Sequence, residues 1–219
     1  MTLQFGIKAV GAFCSKNFTQ DALADNCVKE FKLDAIPPLE RRRLGNATKC
    51  AFSLMSDLTF RTKPKIIFSS YSGEIHSCLS LLKTLDLESV VSPTQFSLSV
   101  LNATPASIAI ATHNQSEISA ISATPSLEYG FINADSTEET LLIAYEEYLN
   151  KEGFEYLMVL VHLDKENYKK ELQLGFEYTN EDSLDDMLHP LQFVKQFHSD
   201  SAAQWEHYAG NLCWKWNLK

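Results

Sequence analysis

Hydroxyl side chains stand at two places where a short apolar run gives way to a helical pattern. One is Ser69-Ser70-Tyr71-Ser72-Gly73, closing the run Lys65–Ser70. The other is Ala123-Thr124-Pro125-Ser126, after Ser116–Ala123. A sharp strand-to-helix turn exposes its side chain beside helical N–H groups, the arrangement that nucleophilic acyl chemistry uses. Ser72, followed by Gly73, suits a serine nucleophile, with His162 or His189 as the base of a small α/β hydrolase or thioesterase. The glycine that such an elbow carries two residues before its serine is Ser70 here, which counts against that chemistry. Thr124 has a suitable position and an unsuitable side chain. A threonine hydroxyl without a base is a poor nucleophile at neutral pH, and Pro125 removes a backbone donor that an oxyanion would use.

The other reactive side chains form no motif. The six histidines, at 76, 113, 162, 189, 198 and 207, are widely spread, and no metal-ligand spacing occurs. No Gly-rich phosphate loop is present. The sequence therefore calls for no metal and no cofactor. Glu146-Glu147 and Asp185-Asp186 are adjacent, and adjacent side chains do not face each other on a helix or strand, so no paired-acid site is indicated. The five cysteines, at 14, 27, 50, 78 and 213, are odd in number and widely spaced. They read as small buried hydrophobes in a reducing compartment.

Composition bounds the rest. The chain has 219 residues, 45% hydrophobic and 21% charged, which fits one globular domain over 1–219 that buries roughly 70% of its unfolded surface. Nineteen basic residues against 28 acidic ones give a formal charge of −9. That balance lacks the basic footprint of a general nucleic-acid binder and opposes docking on anionic lipid. The apolar run Tyr156–Leu163 is interrupted by His162 and is too short to span a membrane. The start MTLQFGIKAVGAF lacks the features of a signal peptide. The expectation is a cytoplasmic protein, in which the sequons at Asn17, Asn46, Asn102 and Asn114 carry no sugar.

The elements that must hold these groups alternate between strand and helix. Leu3–Phe13 reads as a bent strand, Ala22–Phe31 as a short helix, and Leu39–Leu58 as a helix with Leu44, Ala47, Ala51, Leu54, Met55 and Leu58 on one side. Arg41–Arg43 open that helix as a solvated, partly paired face; contact with an acidic partner or acyl carrier is the other reading. Lys65–Ser70 is a buried strand, Gly73 a turn, and Glu74–Leu87 a helix. Ser92-Pro93 starts another helix, to about Thr112, irregular near Pro105. Ser116–Ala123 alternates as a strand and leads through Thr124-Pro125 into a helix over Ser126–Ala134. Leu141–Tyr145, Tyr156–Leu163 and Tyr168–Tyr178 read as strands, Leu184–His198 as a helix and Leu212–Leu218 as a half-buried strand anchored by Trp214 and Trp216. Interleaving of this kind argues an α/β domain with a mixed sheet.

The stretch Ser92–Ala134 resembles the N-terminal half of a β-ketoacyl synthase. Ser92-Pro93, Asn102-Ala103 and Ser119–Ala123 match the family's start, helix and strand into the nucleophile turn. The whole chain is similar to the β-ketoacyl synthase-like N-terminal-domain family found beside aryl polyene biosynthesis genes. That similarity rests on Leu39–Leu44, Phe68–Glu74, the Ser92-Pro93-Thr94 block with Phe96 and Ser97, Leu141–Glu147 and Trp214-Lys215-Trp216.

The resemblance implies a thiolase-like fold, its N-terminal half only, with a mixed sheet flanked by helices and a short C-terminal strand and helix as a cap. It places Thr124 at the nucleophile cysteine position, and the half with the two catalytic histidines is expected to be missing. It implies a non-catalytic chain length factor that heterodimerises with a catalytic β-ketoacyl synthase, completes its acyl tunnel and limits a polyene chain carried on an acyl carrier protein. Gly73, Ile75, His76, Leu79, Gln95, Phe96 and Ser99 are the expected tunnel residues, with Phe96 as a wall. The tunnel should be narrow and apolar, because conjugation keeps the substrate stiff and flat. The expected partner interface is the strand 116–123 with the helix before it: Ser116, Ile118, Ala120, Ser122, Asn102 and Ala106. Apolar surface left bare in a half-fold costs about 25 cal/mol per Å², so the aromatic-rich segment Tyr156–Trp216 is expected to cover part of it.

Overall fold

The longest apolar runs occupy the middle of one sheet. A computed structural model of the chain describes residues 2–15, 25–34, 36–151, 153–184 and 186–219. Its strands are β1 (Thr2–Cys14), β2 (Cys27–Val28), β3 (Lys65–Ser69), β4 (Ile118–Ile121), β5 (Thr140–Asn150), β6 (Gly153–Leu163), β7 (Lys170–Ser183) and β8 (Ala203–Leu218). They form one sheet in the order β4-β3-β5-β6-β1-β7-β8, with β2 beside the end of β1. The β4, β3 and β5 strands are mutually parallel, and β5 to β8 continue antiparallel. The sheet is mixed, as expected.

Leu141–Tyr145 and Leu157–Leu163 are buried throughout because both sheet faces are covered, which is why these runs are continuously apolar. Alternate residues serve opposite layers. Leu142, Ala144, Val159 and Val161 pack beneath α6 (Ser126–Ile132) and α7 (His189–His198). Leu141, Ile143, Met158 and Leu160 pack with α2 (Asn46–Met55) and α5 (Ala103–Ala111). The small residues Ala47, Cys50 and Ala51 of α2 are fully buried, and Thr48 Oγ1 reaches Thr104 Oγ1 on α5 at 3.2 Å.

Several elements differ from expectation, each for a local reason. The helix expected over Leu39–Leu58 is two: α1 (Pro38–Arg41) and α2, divided at Gly45. Glu74 causes the division, since its carboxylate accepts the Ala47 N–H at 3.1 Å and caps α2 from outside. The helix expected over 93–112 is also two, α4 (Pro93–Ser99) and α5, with Val100 extended between them. Pro105 sits harmlessly in the first turn of α5, where no intrahelical N–H is needed. Ser92 caps α4 as its sequence suggests, accepting the Gln95 N–H. The helix expected from Leu184 begins at His189, because the Asp186 carboxylate accepts the Leu188 N–H at 2.9 Å and shapes a turn first; Asp185 lies outside the described residues. Of the helix expected over 22–31, residues 22–24 lie outside the described residues, and Cys27-Val28 pair with β1 as a strand.

The C-terminal segment is larger than a short cap. The β7 and β8 strands extend the sheet, while α7 with Trp214 and Trp216 covers one face. Phe131 of α6 meets Phe193 and Trp216 edge-on at 5.9 and 5.7 Å. Trp214, Trp216 and Phe193 are fully buried, each worth about 1.5–3 kcal/mol or more of apolar burial. No helix among the described residues is long and apolar enough to cross a membrane.

Candidate functional site

The three parallel strands end on one side of the sheet, where ligand crevices of α/β folds form. The turn 70–74 follows β3, the turn 122–125 follows β4, and β5 continues past both with Glu146 and Glu147. Glu146 accepts the backbone N–H of Tyr71 and Ser72 at 2.8 and 2.9 Å and also takes hydrogen bonds from Ser72 and Ser126. Burial raises its pKa, and these donors limit the rise. Glu147 accepts the His76 N–H at 2.8 Å and the Tyr145 hydroxyl at 2.6 Å. Its own N–H donates to Ser72 Oγ at 2.6 Å. Gly73 turns the chain at φ +57°, a left-handed conformation suited to glycine.

Glu74, next in the turn, is 4% exposed. Burial first, and then the neighbouring Glu147, push its pKa up to about 7. Glu74 thus senses the charge of Glu147, a proximity that neither adjacent acidic pair in the sequence signals. No spacing reveals it either, because the two residues come from different elements. Ser72 is held between Glu146 and Glu147 as a turn residue. Its proposed bases are committed elsewhere: His162 bonds Glu139 at 2.9 Å, and His189 packs against Glu128.

Thr124 is exposed, and the Thr124–Pro125 bond is cis. Ser126 and Glu128 behind it are buried. His189 Nδ1 and His207 Nδ1 lie 3.0 and 2.7 Å from Glu128 Oε1. Burial opposes ionisation of Glu128, yet the two imidazoles hold its pKa down at about 2. Trp205 Nε1–H donates to His189 Nε2 at 2.9 Å, so the His189 proton belongs on Nδ1, toward the carboxylate. The two rings stack in parallel, 3.7 Å apart at 9°.

This polarity and stacking do not suit a metal centre. An ion bound at His189 Nδ1 would leave an Nε2–H facing the Trp205 N–H, and one ion cannot lie in both ring planes. A second carboxylate–histidine group, Glu139, His162 and Asp164, has its oxygens engaged by Arg61, Thr62 and His162. Both groups are buried polar networks that join elements.

The expected tunnel residues fall in two sets. His76 and Gln95 line a cleft of about 200 Å³ between α3 (Ile75–Glu88), α4 and the loop before α2, together with Arg43, Leu44, Ser77 and Leu81. Its lining mixes these polar groups with Leu44, Leu81 and Leu98. Ile75 and Phe96 lie outside its lining and are 38% and 59% exposed. Leu79 is half-buried and Ser99 buried, its carbonyl 3.5 Å from Cys78 Sγ. Arg41 donates to the Asp34 and Ile36 carbonyls, and Arg42 is exposed.

Of the expected interface residues, Ile118 and Ala120 are exposed on β4, whose only strand partner among the described residues is β3. Ser116 lies before the strand, bonded to the Lys63 carbonyl at 2.6 Å. Ser122 lies just after it, exposed. Asn102 is the exposed N-cap of α5, and Ala106 is half-buried. Apolar side chains are also exposed on the helices α3 to α5. No residue of α3 is buried; Leu82, Leu85, Leu87, Val90, Phe96, Val100 and Ile110 are all exposed.

Residues 16–217 match the family model of the β-ketoacyl synthase N-terminal domain. The chain belongs to this family. A comparison with curated protein sequences gives no match. Among solved structures, this β-ketoacyl synthase-family domain is similar to a chain of the ketosynthase ApeO in complex with its chain length factor ApeC from Xenorhabdus doucetiae. The TM-score is 0.69 at 17% identity, over 98% of this chain and 99% of that one. It is also similar to the ishigamide ketosynthase/chain length factor, with a TM-score of 0.53 and 11% identity over 68% and 53% of the two chains. A third similar structure is AntDE:AntF, a type II PKS acyl-carrier protein in complex with its ketosynthase bound to the hexaketide (TM-score 0.51, 12% identity, 83% and 71% covered). At these identities the likeness establishes the thiolase-like ketosynthase fold.

Proposed function

We propose that this family member is a non-catalytic chain length factor. In this reading it heterodimerises with a catalytic β-ketoacyl synthase, completes its acyl tunnel, and limits the polyene chain that an acyl carrier protein presents during aryl polyene biosynthesis. Thr124 takes the nucleophile cysteine position in this reading, and Phe96 is a tunnel wall. The interface is β4 with α4 and α5, extended by the exposed leucines of α3, which packs on α4.

One observation carries the reading: a helical arm, α3 and α4, leaves Leu82, Leu85, Leu87 and Phe96 exposed, and β4 ends the sheet with β3 as its one strand partner among the described residues. Monomeric proteins rarely expose contiguous apolar surface of this kind, and an edge strand is a template for pairing with another chain. Co-expression with a catalytic β-ketoacyl synthase from the same genome tests the reading. A one-to-one complex in size-exclusion chromatography with light scattering is the expected result. A stable monomer that ignores the synthase would refute it.

A further inference from the structure

The parallel strands have a second end. The candidate site lies past the last residues of β3 and β4. At the starts of β3 and β5, by contrast, a cavity of about 490 Å³ opens between the C-terminal ends of α2 and α5. Ile66 of β3, Leu141 of β5 and Ile108 of α5 form its floor, each at most 1% exposed. Met55 of α2 and Phe60 are its half-buried walls. The Phe60 ring rests on His162, with centroids 4.7 Å apart. A second cleft, of about 590 Å³, shares Met55, Phe60 and Thr112 with the first and continues along Phe52 and Leu58.

Cavities of this size with an apolar floor take small ligands, and the few polar groups on the lining set the ligand's chemistry. Most of those groups are committed within the protein. Thr62 donates from its N–H and its hydroxyl to Glu139. Asn114 donates to the Pro64 carbonyl and accepts the Ser116 N–H. The Thr112 hydroxyl donates to the Ile108 carbonyl, and Arg61 pairs with Asp164 and Glu166. Lys63 differs. Its exposed ammonium donates to the Thr112 carbonyl at 2.7 Å, where it offsets the negative end of α5. An ammonium has three donors, so others remain for a ligand. Among the described residues, the charged ones that line this cavity are Arg61 and Lys63, both basic, in a chain of formal charge −9.

We propose that this cavity binds an amphipathic carboxylate, a saturated fatty acid of medium chain length. The carboxylate accepts hydrogen bonds from the Lys63 ammonium. The tail lies on Ile66, Ile108 and Leu141 and extends past Phe60 and Met55 toward Phe52 and Leu58. Burial of the methylenes drives binding, and the charge-assisted bond to Lys63 selects the acid over the alcohol of the same length. The site is at the opposite end of the parallel strands from Thr124. It uses neither α3 and α4 nor the β4 edge, so it stands apart from the partner reading above.

Methyl NMR of the full chain, isotope-labelled at its methionine and isoleucine methyl groups, tests the proposal. Octanoate is the probe and octanol its uncharged match. The expected result is a saturable shift of the Met55 and Ile108 signals with octanoate, while Ile75 on the exposed arm stays in place. Octanol with the wild-type chain, and octanoate with Lys63→Ala, should each bind roughly threefold to tenfold more weakly, the worth of one exposed charge-assisted contact. Lys63 is exposed, and the spectrum of the variant itself reports that the fold is kept. Met55→Trp, which fills the cavity, should remove the Ile108 shift. An absence of saturable shifts at Met55 and Ile108, shifts centred on Ile75 instead, or equal affinity for octanoate and octanol would overturn the proposal, and these wild-type readings decide without reliance on either variant.

Discussion

A Cβ built on Gly45 would stand 2.5 Å from Glu74 Oε1. Gly45 is the N-cap of α2 with extended backbone at φ −66° and ψ 167°, which any residue can adopt. The missing side chain is therefore needed to admit a carboxylate from the start of α3. That contact joins α3, the bare arm, to α2 in the core.

The first prediction follows from that contact. Gly45→Ala at an unobstructed position would stabilise by about 0.4–1 kcal/mol through the unfolded state. Here it should destabilise by about 1–3 kcal/mol, because the displaced carboxylate leaves the first N–H groups of α2 without their acceptor. Urea unfolding of the two proteins gives the sign.

A second prediction concerns pH. The Glu74 pKa is raised from 4.5 to about 7, so the folded state favours its protonated form. Its penalty is absent below pH 4.5, grows as pH rises to 7, and is constant above. The full effect is on the order of 3 kcal/mol at most. Glu74→Gln, which retains an acceptor oxygen, should flatten this part of the stability profile. The check is denaturant unfolding at steps from pH 4.5 to 8.

The third prediction has the opposite sign. Glu128 is lowered to about 2, so its contribution is full above pH 4.5 and is lost as pH falls toward 2. Glu128→Gln leaves His189 and His207 against an uncharged amide and should cost about 3–5 kcal/mol near neutral pH. It should also remove the acid limb. Thermal unfolding of the variant between pH 3 and 7 tests both statements.

The arm supplies the fourth prediction. Leu82 and Leu85 are 60% and 47% exposed, so Leu82→Asp with Leu85→Asp should change the stability of the isolated chain by no more than about 0.5 kcal/mol per site. The same pair should abolish complex formation with the synthase. Sedimentation velocity of the mixture measures the second effect, and urea unfolding of the chain alone the first.

These residues also show what a sequence discloses and what it withholds. Leu141–Tyr145 and Lys65–Ser69 are strands because short apolar runs bounded by polar residues have few other uses in an α/β chain. Ser92-Pro93 marks a helix start because cap and first residue are neighbours. The break at Gly45 is not legible, since periodicity runs through it and the cap comes from Glu74 in another element. The same holds for Glu128 with His189 and His207: the group joins α6, α7 and β8, which no local spacing encodes. The cleft takes in His76 and Gln95 of the expected tunnel residues, while Arg43, Leu44, Ser77 and Leu81 reach it only through how the split helices turn.

The central claim is that the chain supports condensation without performing it. The direct measurement is turnover by the reconstituted heterodimer carrying Thr124→Ala, with complex integrity checked by light scattering. The account predicts condensation at the wild-type rate. Loss of condensation in an intact complex would contradict it.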